Sequence, residues 1–423
     1  MTEKEAIAYI EDYSWHTTRM GLVRINEMLA KLGNPEKGLK FVHVTGSNGK
    51  GSTCAMLDSV LRHAGYKTGF YSSPYLQVFN ERVKVDGKKI PGEDLARLTE
   101  KVREIADAMT NHPSQFEIIT AIAMLYFKEQ ACDIIVLEVG MGGELDATNV
   151  IEAPEVAVLT NIGLEHTEYL GDTIEEIAKT KSGIIKTGCD CVCYDSVPEA
   201  VDTVKKICNE RKVSFTLAGF DDIRIVNSDI HGQTFVKDGE EYHIKLLGKH
   251  QINNATVAIE VVKCLVNRGW KISKEDVTEG LALCSWPARL EVLSWEPLFI
   301  LDGGHNPQCA QALAEALTDL LPGKKVTFLT GVLADKDYRL IVDTIRPFAE
   351  QFICVTPLSD RALAADEYAN YLKSLGEKAI YFDTIEKGLN EALKSNIVVA
   401  FGSLYQAGAI RDIFEGGEHH VSE

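Results

Sequence analysis

The stretch Thr45-Gly46-Ser47-Asn48-Gly49-Lys50-Gly51-Ser52 constrains this chain more than any other. An apolar run at 41–44 feeds into it. A helical pattern leaves it, with Leu57, Val60, Leu61 and Ala64 at i, i+3, i+4 and i+7 and Gly65 as a stop. A strand, a glycine-rich turn and a helix in that order are the unit from which a parallel α/β sheet is wound. Glycines let backbone N–H groups turn inward on a phosphate, the helix aims its positive N-terminus at the same point, and Lys50 adds a mobile charge. A nucleoside triphosphate is the natural ligand. The spacing departs from the ordinary Walker A pattern, because only Ser47 and Asn48 separate Gly46 from Gly49-Lys50, and Gly51 intervenes before Ser52.

A length of 423 residues exceeds one ordinary core, so two domains are expected: residues 1–290, a linker at 291–296, and residues 297–423. The net charge of −18 argues against a nucleic-acid partner, and it requires any anionic substrate to be met by locally gathered lysines, arginines, metal ions and helix N-termini. The opening Met1-Thr2-Glu3-Lys4-Glu5 has no apolar signal core, and no run approaches the roughly 18 apolar residues of a membrane span. A cytoplasmic, monomeric chain is expected. Ten cysteines are too few for a disulfide scaffold, and Cys189, Cys191 and Cys193 alternate as one buried face of a short strand would, without metal.

Residues 1–40 read as helical, with a polar-aromatic interruption at Tyr13-Ser14-Trp15-His16 and a second helix near 22–32. Strands are expected at 67–72 and at 79–85, the latter closing on the turn Asp86-Gly87. Helices follow around Leu95, Leu98, Val102 and Ile105 and over 116–127. Residues 133–140 form a continuous apolar run ending near Glu138, as a parallel strand buried on both faces does. Another strand at 156–160 leads to Glu165 and His166. Residues 213–247 read as a small β subdomain with a hairpin turn at Lys237-Asp238-Gly239-Glu240, and 250–269 as a long helix. Alternating strands and helices from 299 to 401 make a second, smaller doubly wound unit, and the tail from Glu415 is expected to fray.

Open α/β sheets bind ligands at the carboxyl ends of their strands. The glycine-rich loop, Ser73, Glu138 and His166 all fall at such ends, so four strand ends are expected to share one mouth. Glu138 suits a hard cation such as Mg²⁺, the alternative being a buried salt bridge. A lone His166 is as readily a capping residue as a ligand. Residue type alone would leave Lys181 in solvent. Asp302-Gly303-Gly304-His305-Asn306-Pro307 repeats the strand-to-helix junction, and ligand recognition and simple N-capping explain it equally well. Two units that each present strand ends imply a cleft.

Taken with Ser73-Pro74-Tyr75-Leu76, Phe79-Asn80-Glu81-Arg82, the run from Leu137 through Asp146 to Asn149, His166-Thr167-Glu168, Lys181 to Lys186, His250-Gln251 with Asn254-Ala255, Pro287-Ala288-Arg289-Leu290-Glu291, Gly331 to Asp337 and Gly402-Ser403-Leu404-Tyr405, these motifs resemble the folylpolyglutamate synthase family of the Mur ligase superfamily over nearly the whole chain. The short loop with Lys-Gly-Ser is that family's own variant.

The resemblance implies a P-loop-type central domain with a small β subdomain, plus a Rossmann-like C-terminal domain. It implies an ATP-dependent ligase that adds L-glutamate to a reduced folate through an acyl phosphate, in some members also joining dihydropteroate to glutamate. Carried over by position, Gly46, Asn48, Gly49, Lys50, Gly51 and Ser52 hold phosphates. Ser73 and Glu138 ligate one Mg²⁺ and His166 a second; Lys181 matches a lysine that the family carbamylates. Lys50, Glu138, His166 and Lys181 form the catalytic set. Asn254, Arg289 and Asp302 match nucleotide contacts. Gln115, Phe116, Glu117, Leu145, Asp146 and Ala147 match pterin-lining stretches, and His305 and Ser403 are assigned to the incoming glutamate. The family commonly carries Arg at Glu144, His at Tyr75 and Ala at Gly304. Another amino-acid ligase of the superfamily, or a kinase-like ATP-binding protein with no amide product, is the alternative.

Overall fold

The computed structural model describes residues 1–12 and 20–416; the interruption read at Tyr13 to His16 and the tail beyond Gly416 lie outside them. The chain forms two compact units. The first comprises Met1–Ile223, Lys237–Tyr242 and Asn253–Cys284; the second comprises Arg224–Val236, His243–Ile252 and the chain from Ser285.

The first unit is built on β1 (Phe41–Thr45), β2 (Thr68–Tyr71), β3 (Val83–Val85), β4 (Lys88–Lys89), β5 (Ile134–Glu138), β6 (Val156–Leu159), β7 (Asp190–Tyr194) and β8 (Ser214–Ala218). Their order is β4-β3-β2-β5-β1-β6-β7-β8. From β2 to β8 every pairing is parallel, and β3 and β4 add an antiparallel edge. All residues of β1, β2, β5 and β6 are buried, which is why their sequences are largely apolar and do not alternate. One apolar cluster gathers Met28, Leu98, Val102, Ile118 and Phe127 from the helices Val23–Lys31, Gly92–Ala106 and Gln115–Glu129. A second holds Ile177, Ile185 and Val204 together with Cys189, Cys191, Cys193 and Cys208, so the cysteine stripe is part of a core face.

Two readings need correction here. Residues 79–82 form a 3₁₀ turn, Phe79–Arg82, and only Val83–Val85 is strand. The Glu81 carboxylate accepts from the Leu76, Gln77 and Val78 amides at 2.9, 3.3 and 3.3 Å and curls the chain before it can extend. The expected β subdomain also starts later, because β8 pairs in parallel with β7 and extends the large sheet.

Next come β9 (Arg224–Asp229), β10 (Gly232–Lys237) and β11 (Glu240–Ile244), a sheet in the order β11-β10-β9. Asp238 and Gly239 both take positive φ, 53° and 81°, the backbone of a tight hairpin turn. The second unit's larger sheet contains β12 (Glu291–Trp295), β13 (Leu298–Leu301), β14 (Val326–Thr330), β15 (Ala349–Cys354), β16 (Ala379–Tyr381) and β17 (Ile397–Phe401), ordered β12-β13-β17-β14-β15-β16. All pair in parallel except β12. Residues 291–295, read as linker, are therefore an edge strand: Glu291 to Trp295 register antiparallel against Leu301 to Leu298, with a bulge between Val292 and Ser294. The core of this unit centres on Ile300, Leu313, Phe328, Phe352, Tyr368 and Val399. No helix among the described residues is long and apolar enough to cross a membrane.

Candidate active site

Strands β2, β5, β1 and β6 are consecutive neighbours and all parallel, so their carboxyl ends share one rim. The chain leaving β1 returns through β2 on one side, and the chain leaving β6 returns through β7 on the other. The crevice between the ends of β1 and β6 is thus a topological switch point, where α/β sheets bind ligands. The glycine-rich loop lies in it. The Ser47 and Asn48 amides donate to the Asn161 carbonyl at 2.7 and 3.3 Å, the Ser47 hydroxyl donates to Gly163 O at 2.9 Å, and Thr160 Oγ1 lies 2.9 Å from Asn48 O. Gly46, at φ 151°, would place a Cβ 1.8 Å from Thr160 Oγ1. Gly49, at φ 89°, would place one 2.5 Å from Asn254 Oδ1. It is also the N-cap of helix Lys50–His63, which no side chain caps. The orphan N-terminal amides of that helix are therefore left to an anion. Lys50 reaches back over the loop, donating to Gly46 O at 2.8 Å and Ser47 O at 3.2 Å, while Ser52 is buried in the first turn.

Glu138 closes β5, is buried, and accepts from the Ser73 amide at 3.2 Å. The Ser73 hydroxyl in turn accepts from Arg82 Nη1 at 3.0 Å, and the guanidinium lies over the rings of Tyr75 and Phe79 at 5.2 and 5.4 Å. Glu138 and Ser73 are hard oxygen donors on neighbouring strand ends, the donor type Mg²⁺ takes. Lys181 is not in solvent: at 1% exposure it donates to Glu165 Oε1 at 2.7 Å and to Gly46 O at 3.0 Å. Burial drags its pKa down to about 8 against the pull of Glu165, with Lys50 adding to the fall. Despite burial, Lys50 and Lys181 hold the Glu165 carboxyl below its usual range. His166 is exposed and sits at φ 46° as N-cap of the short helix Thr167–Leu170.

The loop after β5 is folded tightly. A Cβ at Gly140 would lie 2.5 Å from the Phe116 ring, and one at Gly143 2.5 Å from Lys181 O. The Glu144 amide donates to Thr180 O at 3.0 Å. Asp146 is buried and accepts from the Met141 amide at 2.9 Å and from the Thr148 amide and hydroxyl at 3.0 and 2.6 Å. Leu145 beside it is 44% exposed, while Ala147 is buried. Glu117 closes a capping box on Ser114 and takes an ion pair from Arg24 at 3.0 Å; Gln115 and Phe116 in the same helical turn are part-exposed. The Tyr75 hydroxyl donates to Glu11 at 3.0 Å.

In the second unit, Asp302 spends one oxygen on the Leu290 amide (2.9 Å) and the other on the Gly304 amide (2.7 Å). Burial raises its pKa and the Arg289 charge opposes the rise. Asn306 caps the helix Pro307–Leu320 through the Cys309 amide at 2.8 Å. A Cβ at Gly304 would meet Phe401, Asp302 and Cys309 atoms at 2.6, 2.7 and 2.7 Å, so no larger residue fits without a shift. His305 Nδ1 lies 3.3 Å from Gly303 O. Ser403 is buried at the start of helix Leu404–Glu415 with no hydrogen-bond partner for its hydroxyl among the described residues.

Comparison with known proteins agrees with this arrangement. The model of the Mur ligase middle domain matches residues 44–262, and that of the Mur ligase glutamate ligase domain matches residues 288–404. Folylpolyglutamate synthase of Lacticaseibacillus casei is 35% identical over 439 residues, covering 99% of this chain and 100% of its own length. The chain belongs to the folylpolyglutamate synthase family of Mur ligases. Its dihydrofolate synthase/folylpolyglutamate synthase relative from Bacillus subtilis is 35% identical over 430 residues, covering 96% of this chain and 98% of the relative. A solved folylpolyglutamate synthase complex with AMPPCP and folate superposes with a TM-score of 0.82 at 33% identity, covering 98% of this chain and 99% of that one. The Escherichia coli FolC complex with DHPP and ADP superposes at 0.86 with 28% identity, covering 98% of each.

Within this family fold, the first unit brings together Gly46, Asn48, Gly49, Lys50, Ser73, Glu138 and Lys181, with Asn254 against Gly49; Arg289, Asp302, His305 and Ser403 belong to the second unit. Sequence reasoning assigned no role to Glu165 or to the Arg82 contact with Ser73. Glu165 stands next to His166 at a strand end, a signal that a charged partner for Lys181 was within reach.

Proposed function

We propose that this protein is an ATP-dependent ligase that joins L-glutamate to the glutamyl tail of a reduced folate. The observation that carries the reading is the meeting, at one rim, of an uncapped helix N-terminus, the Lys50 ammonium and the Glu138 and Ser73 oxygens. A carboxylate does not condense with an amine until one of its oxygens becomes a leaving group. Its oxygen attacks the γ-phosphorus of ATP and ADP departs; the unprotonated amine of glutamate then attacks the acyl carbon and phosphate departs. Lys50 and the loop amides stabilise charge on the transferring phosphoryl group by position and electrostatics. Ser73 and Glu138 would hold a Mg²⁺ and His166 a second, and the ions would supply further positive charge to the phosphates. We assign Gln115, Phe116, Glu117, Leu145, Asp146 and Ala147 to the pterin, Asn254, Arg289 and Asp302 to the nucleotide, and His305 and Ser403 to glutamate. The segment up to residue 290 carries the phosphate loop, and the segment from 297 carries the residues assigned to glutamate together with Asp302 of the nucleotide set. Ten free cysteines suit the reducing cytoplasm.

Carbamylation of Lys181 requires its neutral amine, which a pKa of about 8 makes available at neutral pH. A carbamate would stand beside Glu165 as a second anion, a repulsion that a divalent cation would relieve. Isotope-labelled bicarbonate should give a carbamate NMR signal that Mg²⁺ strengthens and that Lys181→Met abolishes. Product mass after incubation with ATP, glutamate and either tetrahydrofolate or dihydropteroate tests the main reading. One added glutamate per phosphate released is the expected result; ADP formed without amine and leaving a stable phosphorylated product would overturn it.

A further inference from the structure

The strand that delivers the glycine-rich loop also holds the loop that follows β5, using two side chains from one face. Residues two apart on a strand point the same way, and His43 and Thr45 of β1 both turn to this loop. The Thr45 hydroxyl donates to the Gly142 carbonyl at 2.5 Å, near the loop's start. His43 Nε2 lies 2.8 Å from Thr148 Oγ1, near its end. Leu145, Asp146 and Ala147 stand between the two ties.

The protons in this network can be ordered. Both Asp146 oxygens accept: one takes the Thr148 amide and hydroxyl, the other the Met141 amide. Burial raises the Asp146 pKa and these hydrogen bonds oppose the rise; as the carboxylate, Asp146 accepts the Thr148 hydroxyl hydrogen. The Thr148 oxygen then accepts from His43, which fixes the imidazole as the Nε2–H tautomer. Nδ1 is left buried with no hydrogen-bond partner among the described residues. The ring is fully buried, and burial, with the charge of Lys186, drives its pKa down to about 3, so it is a neutral donor at any working pH. An apolar side chain would pack in β1 without stranding Nδ1; what the imidazole adds is the single hydrogen bond to Thr148.

We propose that His43 is a positioning residue for the folate: through Thr148 and Asp146 it sets the posture of the 145–147 stretch that receives the pterin. This rests on the assignment of that stretch to the pterin made above. Thr148→Val is nearly isosteric and removes the hydroxyl at the centre of the chain. It should raise the folate KM about tenfold while leaving the affinity for an ATP analogue within about twofold. His43→Leu should do the same, His43→Gln should recover most of the loss by restoring a donor, and the His43→Leu/Thr148→Val double variant should be no worse than either alone. Leu145→Glu, on an exposed side chain, tests the underlying assignment separately. If Leu145→Glu leaves the folate KM unchanged, the pterin assignment fails. If it raises KM while Thr148→Val and His43→Leu do not, the relay alone fails. Equal losses for folate and nucleotide without rescue by Gln would reduce His43 to a packing residue, and an Nδ1–H tautomer in the nitrogen NMR spectrum would overturn the proton order.

Discussion

The two strand-to-helix junctions, Thr45 to Ser52 and Asp302 to Pro307, have the same outline and opposite chemistry. Each follows a strand of a largely parallel sheet and opens a helix of 14 residues. At the first, the N-cap is Gly49, which has no side chain to offer the helix. At the second, Asn306 caps the helix and Asp302 spends both oxygens on neighbouring amides. The first junction leaves its backbone donors to a ligand; the second satisfies much of its own backbone demand and has side chains left to meet one.

The sharpest way to break this contrast is to remove the cation of the first junction. Lys50→Ala should lower kcat about a thousandfold, the scale of one lost charge-stabilising donor, with the unfolding midpoint little changed. A variant that kept the wild-type rate would remove the phosphate reading. Gly46→Ala forces a Cβ to within 1.8 Å of Thr160 Oγ1, and calorimetry should show it losing ATP-analogue binding.

Lys181 belongs to the same junction through Gly46 O. Its pKa is about 8 folded against 10.5 ordinarily, so between those values the unfolded chain binds more protons. Its contribution to stability therefore rises with pH across that window, and below it the buried ammonium weighs against the fold. Urea unfolding at stepped pH should show wild type gaining about 3 kcal/mol relative to Lys181→Met over that range; parallel curves would disprove the shift. The smallest effect is expected at the second junction, where Asn306→Ala should cost about 1 kcal/mol of stability, the ordinary value of a lost N-cap.

Much of this was legible in the chain. The apolar runs of β5 and β6 announced strands buried on both faces, and Gly65 marked where the helix after the glycine-rich loop stops. Ser73 and Glu138 could be placed at strand ends from their positions alone. What misled were local signals with a nonlocal resolution. Residues 79–82 looked extended until Glu81 collected three amides behind it. Residues 291–295 looked like linker until β13 supplied the partner strand. Lys181, polar by type, is buried because Glu165 and Gly46 O meet it there.

The sequence by itself determined most of the elements, their α/β alternation and the chemistry at the glycine-rich loop, because periodicity and glycine are properties of a few consecutive residues. Only the tertiary structure decided which polar groups are already partnered. That depends on side chains such as His43 and Thr148, 105 residues apart, being brought within 2.8 Å, and no local pattern records it.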